Sequence, residues 1–297
     1  MRMLFPALLL LAAPALAEPV DRPVTLPDGR TLNLYCQGQS GPVVVMDSGW
    51  AADSRAWRRV LALLPDTLRA CAVDRAGQGK SSPGPMPRDG AAVAADLHAA
   101  LTAAKLPGPW LLVGHSLGGL NMRHFVQLYP AEVAGLLLVD PTSPTVPGAF
   151  APLVARSRGC VEALKADAVG RLKADAAVPV PAVCRAEDRP AALARWEARL
   201  SEIESAGGST SAGLADQGAG SLTVPLIVLR PSPADRPVEG FSDPLATLSA
   251  KGEARLVPGA GHMIMIDRPE AVTGAIMEMI SAIGEMPPSS LPARPET

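Results

Sequence analysis

The 297-residue chain has no run of basic residues, and 27 Lys and Arg against 29 Asp and Glu leave a formal net charge of −2. It therefore carries no electrostatic footprint for nucleic acid or an anionic membrane surface. No C-x-x-C occurs, and none of the four cysteines has a histidine at a zinc-ligand spacing, so no metal site is expected. There are no internal repeats, which removes solenoids and propellers. Histidine is scarce too, at four residues, and this shortens any search for a catalytic base.

What is present begins with MRMLFPALLLLAAPALA. Arg2 supplies a positive start, Leu4 to Leu16 a short apolar stretch, and Ala15-Leu16-Ala17 an A-x-A cleavage site. The pattern is that of a secretory signal peptide over residues 1–17. Pro6 and Pro14 interrupt it, and it falls short of the roughly 20 residues of a spanning helix. No later stretch is long and apolar enough to span a bilayer, so no stable membrane insertion is expected after cleavage. A periplasmic or secreted location follows. In such a compartment the even set Cys36, Cys71, Cys160 and Cys184 favours disulfides over metal binding.

Hydrophobic residues make up 48% of the chain, ample for a sizeable core. Short apolar runs alternate with helical stretches, which predicts a mostly parallel sheet with helices on both faces. A hairpin is expected over Val20–Leu26 and Thr31–Cys36, with strands at Pro42–Met46, Ala70–Val73, Trp110–Val113, Gly135–Val139, Pro225–Leu229 and Arg255–Val257. Helices are expected at Arg55–Leu64, Ala91–Ala104, Leu117–Tyr129 and Ala271–Ile283. Between Asp140 and residue 222 the alternation lapses into Pro-rich turns, two helical patches (Gly159–Ala176 and Pro190–Ala206) and the flexible-looking GGSTSAGLADQGAG. An insertion there lies over the C-terminal ends of the strands, where open α/β sheets bind ligands, and reads as a cap. The organisation expected is a core of 18–140 and 222–284, a cap of 141–221, and a disordered, Pro-rich tail of 285–297.

The chemistry centres on GHSLGG at 114–119, directly after Trp110-Leu111-Leu112-Val113. A G-x-S-x-G between strand and helix holds its serine on a strained turn, which needs small flanking residues to close. The turn lifts the Ser116 hydroxyl above the sheet and aims the N–H groups of the following helix at a developing oxyanion. Alone the pentapeptide is a weak signal, between a strand and a helix it is a strong one, and a purely structural turn is the alternative.

A hydroxyl nucleophile needs a base. His98 falls inside a helix, His115 belongs to the turn itself and is too close in sequence to swing onto Ser116, and His124 lies two turns along the next helix. His262 remains, in PGAGH after the last strand, on a glycine loop able to return over the sheet. Asp267 and Pro269 beyond it read as the start of the final helix. The third member must orient the imidazole and stabilise its charge. In the order Ser, acid, His, it falls between 116 and 262. Asp140, at the end of the strand beside the serine strand, is preferred, and Asp235, in RPSPADRP, is the alternative. Asp167, Asp175 and Asp188, in the insertion, are expected to be solvated.

The blocks MDSGWAADSRAW, CAVDRAGQGKS, DLHAALTAA, WLLVGHSLGG, GLLLVDP and PGAGH together resemble the α/β-hydrolase superfamily, in its esterase and lipase branch. The resemblance implies an eight-stranded, mostly parallel sheet flanked by helices, with a cap after the sixth strand. It implies an oxyanion hole from the N–H groups of Leu117 and Trp50, Ser48-Gly49-Trp50 standing where the family usually carries HG-x. Asp74, in a turn that the family uses structurally, is not counted as catalytic. The loop after the seventh strand departs from the usual G-x-x-D, which weakens Asp235. Relatives that open epoxides or remove halide carry aspartate at the nucleophile position, so Ser116 points instead to acyl transfer on a small-molecule ester, without metal or organic cofactor. An amidase or peptidase, or a hydrolase-like protein that only binds ligand, are the alternatives. In the fold's usual order the second and fourth strands are neighbours, which pairs Cys36 with Cys71 and leaves Cys160 with Cys184 inside a cap that has little core of its own.

Overall fold

The computed structural model describes residues 18–143, 148–172, 181–184, 189–235 and 240–285. The expected signal segment, the tail beyond 285, Asp175 and Asp188 lie outside them.

Eight strands form one sheet: β1 (Val20–Thr25), β2 (Thr31–Gln37), β3 (Ser40–Asp47), β4 (Leu68–Asp74), β5 (Trp110–His115), β6 (Val133–Val139), β7 (Leu226–Ser232) and β8 (Gly252–Pro258). Their order is β1-β2-β4-β3-β5-β6-β7-β8. β2 runs antiparallel to both β1 and β4, and every other pair is parallel. β5 and β6 are buried at every residue, as expected of parallel strands covered on both faces.

Alternation along each strand then sorts side chains between two cores. Val43, Val45, Leu112 and Leu136 face α2 (Gly90–Ala103) and α3 (Leu117–Leu128). Val44, Met46, Val113 and Leu137 face α1 (Arg58–Leu63) and α8 (Pro269–Glu285). No helix among the described residues is long and apolar enough to cross a membrane.

Between β6 and β7 stand α4 (Ala151–Leu172), α5 (Arg189–Ala206) and the short α6 (Ser209–Gly213). α6 lies in a stretch whose glycines and serines predicted flexibility. Burial fixes it: the Gly90 N–H donates to the Thr210 hydroxyl at 2.8 Å, and His124 Nε2–H to the Thr210 carbonyl at 2.8 Å. Asp167, expected to be solvated, is buried on α4. The inserted helices have a core of their own, with Cys160, Val161, Leu164, Cys184, Ala192 and Trp196 packed together. A second cluster seats Ile203, Ala206 and Leu214 on Leu117 and Leu120 of α3.

Both expected disulfides are formed. Cys36 and Cys71 face each other across the β2–β4 ladder, with Cα atoms 4.1 Å apart. Cys160 and Cys184 join α4 to the turn at Ala182–Cys184, with Cα atoms 5.3 Å apart.

Candidate active site

β5 delivers Ser116 to the N-terminal end of α3 with φ 51° and ψ −118°. A non-glycine residue in that region costs on the order of 1–3 kcal/mol and persists only where its surroundings over-determine it. They do so here. The Ser116 N–H donates to the Val139 carbonyl at 3.2 Å, and its carbonyl accepts from Thr142 N–H at 3.1 Å. A Cβ at residue 114 would come within 2.6 Å of the Gly118 carbonyl oxygen, and one at 118 within 2.4 Å of the Asp47 carbonyl oxygen. Only glycine lets strand, turn and helix approach this closely.

The structure brings Ser116, His262 and Asp140 together. Ser116 Oγ lies 3.1 Å from His262 Nε2, and His262 Nδ1 lies 2.6 Å from Asp140 Oδ2. With the carboxylate accepting, Nδ1 carries the proton and Nε2 is free to accept from the serine hydroxyl. The imidazole is 57% exposed, and Ser116 is partly open. Thr142 Oγ1 stands 3.4 Å from Ser116 Oγ, a second hydroxyl beside the first.

Asp140 follows β6 with φ 39°, and its N–H donates to the Leu229 carbonyl at 2.8 Å. Burial would raise its pKa, but hydrogen bonds from His262 and Arg230 outweigh it and hold the carboxyl below the usual aspartate value. Arg230 Nη1 donates to Asp140 Oδ1 at 3.1 Å and to the Pro141 carbonyl at 2.7 Å, while Nε donates to Asp243 at 2.6 Å. Asp235 is exposed, and no hydrogen bond or ion pair joins it to His262. Arg230 was not singled out from the sequence. Its position near the end of β7, where the family pattern puts an acid nearby, was the available signal.

The His262 loop is held from two sides. Asp267, expected to cap the final helix, instead ends the short α7 (Ile264–Asp267) and turns its carboxylate back to accept from Gly261 N–H at 2.9 Å. This acceptor stops the glycine loop from swinging away. α8 does open on Pro269, as anticipated. His115, set aside from the sequence, donates Nε2–H to the His262 carbonyl at 2.9 Å. Burial, reinforced by His262, drops its pKa to about 4, so it is neutral near pH 7. The other two histidines stay structural: His98 stacks on Tyr129 at 3.9 Å, and His124 binds α6. Asp74 likewise is buried, accepting from Ser54 N–H, Lys80 N–H and Asn33.

The loop after β3 passes close to the serine, since a Cβ on Gly49 would lie 3.1 Å from Ser116 Cβ. As first residue of α3, Leu117 has an N–H with no partner in its own helix. The Trp50 N–H meets no backbone acceptor among the described residues. The Leu117 amide thus follows the serine in sequence, and the Trp50 amide follows Gly49, which packs against it.

Comparison with known proteins agrees with this architecture. The model of the alpha/beta hydrolase family matches residues 44–275. Curated relatives include a pimeloyl-[acyl-carrier protein] methyl ester esterase of Chromobacterium violaceum, 39% identical over 115 residues, 38% of this chain and 42% of that protein. Lipase LipV of Mycobacterium tuberculosis is 36% identical over 114 residues, 37% of this chain and 41% of that protein. The chain spans less than half the length of the curated relatives it matches. Among solved structures, a thermophilic esterase from Thermogutta terrifontis has a TM-score of 0.64 at 23% identity, over 89% of this chain and 99% of that one. Epoxide hydrolase CorEH has a TM-score of 0.65 at 17% identity, over 90% of this chain and 100% of that one. At these identities the two structures speak for the fold alone. With 44–275 matched and the sheet order in hand, the chain is a member of the alpha/beta hydrolase family.

Proposed function

We propose that the protein is an exported serine hydrolase that cleaves carboxylic esters through an acyl-enzyme. The observation that carries this reading is the continuous hydrogen-bond chain Asp140–His262–Ser116 at a strained strand–helix turn. Ser116 Oγ attacks the ester carbonyl carbon, its proton passes to His262 Nε2, and the carbonyl π electrons move onto oxygen. The Leu117 and Trp50 N–H groups are the donors assigned to that oxyanion. Collapse breaks the bond to the alkoxy group, which leaves as the alcohol with the proton from His262. Water then repeats the sequence: His262 takes its proton, the hydroxide attacks the acyl carbon, and Ser116 leaves with the proton restored. Asp140, kept ionised by His262 and Arg230, stabilises the imidazolium in both halves.

Serine at the elbow favours acyl transfer over epoxide opening, and the esterase and lipase among the relatives favour esters. The helices between β6 and β7 are read as a cap (141–221). Its Phe150, Leu153 and Val154, like Trp50, pack against the apolar cluster that contains Leu117, which suits an apolar acyl or alcohol group. Two disulfides are compatible with a periplasmic or secreted location.

Turnover of p-nitrophenyl esters, from acetyl upward, compared with matched p-nitroanilides tests the assignment. Esters are expected to be preferred, with Ser116→Ala losing at least about 10³-fold in kcat. Ester turnover persisting in Ser116→Ala, or a preference for anilides, would contradict it.

A further inference from the structure

β4 ends at Asp74, and the next residue, Arg75, is buried among groups from three parts of the chain. Its Nη1 donates to Asp47 Oδ1 at 2.6 Å and to the Ser48 carbonyl at 2.7 Å. Nη2 donates to the Gly49 carbonyl at 3.0 Å and to Glu202 Oε2 at 3.1 Å, and Nε donates to Glu202 Oε1 at 2.9 Å. A guanidinium offers five N–H groups, and all are used. Asp47 closes β3, Ser48 and Gly49 form the loop beside the nucleophile, and Glu202 belongs to α5. Asn121 of α3 donates to the remaining Asp47 oxygen at 2.9 Å.

The two carbonyls matter most. In a trans peptide the N–H points opposite to the C=O of the same unit. Turning the Ser48 and Gly49 carbonyls onto Arg75 therefore turns the Gly49 and Trp50 N–H groups away from it. α5 also holds the same loop directly. Trp50 Nε1–H donates to the Arg199 carbonyl at 3.0 Å, and Arg199 Nη2 donates to the Ala51 carbonyl at 3.3 Å. The Trp50 and Trp196 rings meet edge-on at 6.5 Å.

We propose that Arg75 is a positioning residue that sets the Trp50 N–H as an oxyanion donor, and that Glu202 makes this setting depend on the docked α5. The inference rests on the serine-hydrolase reading. It assigns a buried ion cluster spanning core and insertion to transition-state stabilisation rather than to stability alone. Arginine is required because no ammonium can serve two carbonyls and two carboxylates in one plane.

The test compares an aryl ester with its thiono analogue, in which C=S replaces C=O, in the full-length protein and in the variants Arg75→Lys and Glu202→Gln. Sulfur accepts hydrogen bonds poorly, so a working oxyanion hole raises the ratio of ester to thionoester turnover. Arg75→Lys is expected to lower ester kcat about 10²-fold with KM within about threefold, and to reduce the ratio. Glu202→Gln, which keeps an acceptor oxygen and the cation, is expected to lower ester kcat about tenfold with a smaller drop in ratio. If Arg75→Lys does not fold, Glu202→Gln alone decides by its ratio. Variants that slow ester and thionoester equally, at an unchanged ratio, would overturn the proposal and leave the cluster structural. A wild-type protein inactive on both substrates would remove the serine-hydrolase reading, and this proposal with it.

Discussion

His115 shows how one buried side chain ties the site to pH. Its folded pKa is about 4 against an ordinary 6.5, burial being the chief cause. Between those values the unfolded chain holds a proton that the folded one refuses. The stability from this group is therefore complete above pH 6.5 and lost as pH falls toward 4, by about 3 kcal/mol in all. His124, also lowered by burial, acts with the same sign, but it is common to the wild type and a His115 variant. His115→Gln keeps an amide donor for the His262 carbonyl and removes the titration. Urea unfolding of both proteins at pH 7 and pH 4.5 should show the wild type losing more stability on acidification. Equal losses would mean that His115 is protonated in the folded protein.

At the scale of elements, the helices between β6 and β7 are pinned by Cys160–Cys184, which closes a separation of 24 residues. A loop of that size contributes about 3 kcal/mol on the chain-entropy account. Replacing both cysteines with serine should make α4 and α5 the first sites of limited proteolysis, while the sheet core stays intact. Cleavage beginning in the core instead would show that the insertion stands without its clip. The strands were legible because burial on both faces writes β5 and β6 as unbroken apolar runs, and the elbow because Gly114 and Gly118 leave no other choice of residue. Helix ends shifted by a few residues, and α4 begins at Ala151, ahead of the patch read from Gly159, because Leu153 and Val154 of its first turns pack against the cluster of Leu117, Leu120 and Ile203. What could not be read are contacts between distant positions. Arg75 with Glu202 and Arg230 with Asp140 lie 127 and 90 residues apart, and no local pattern marks either pair. The position of Asp267 before the final helix suggests a cap, yet its carboxylate accepts from Gly261 N–H instead.

Across the whole molecule, the sheet works as a platform whose C-terminal strand ends gather one residue from each of several connections. Ser116 comes from β5, Asp140 from β6, His262 from the loop after β8, and Trp50 from β3. Glu202, Arg199 and Trp196 of α5 anchor the helices between β6 and β7 to Arg75 and to the loop after β3. The proposed mechanism stands on Ser116 as a nucleophile activated by His262 and Asp140. Labelling with a fluorophosphonate, read by peptide mass spectrometry, tests it most directly, because the probe reports the serine without knowledge of the substrate. The wild type and Asp235→Asn should carry the adduct on the peptide containing Ser116. Ser116→Ala should carry none, and His262→Ala and Asp140→Asn should label slower by at least about 10²-fold. An unlabelled wild type, an adduct at another residue, or Asp235→Asn slowed in place of Asp140→Asn would rule out this triad.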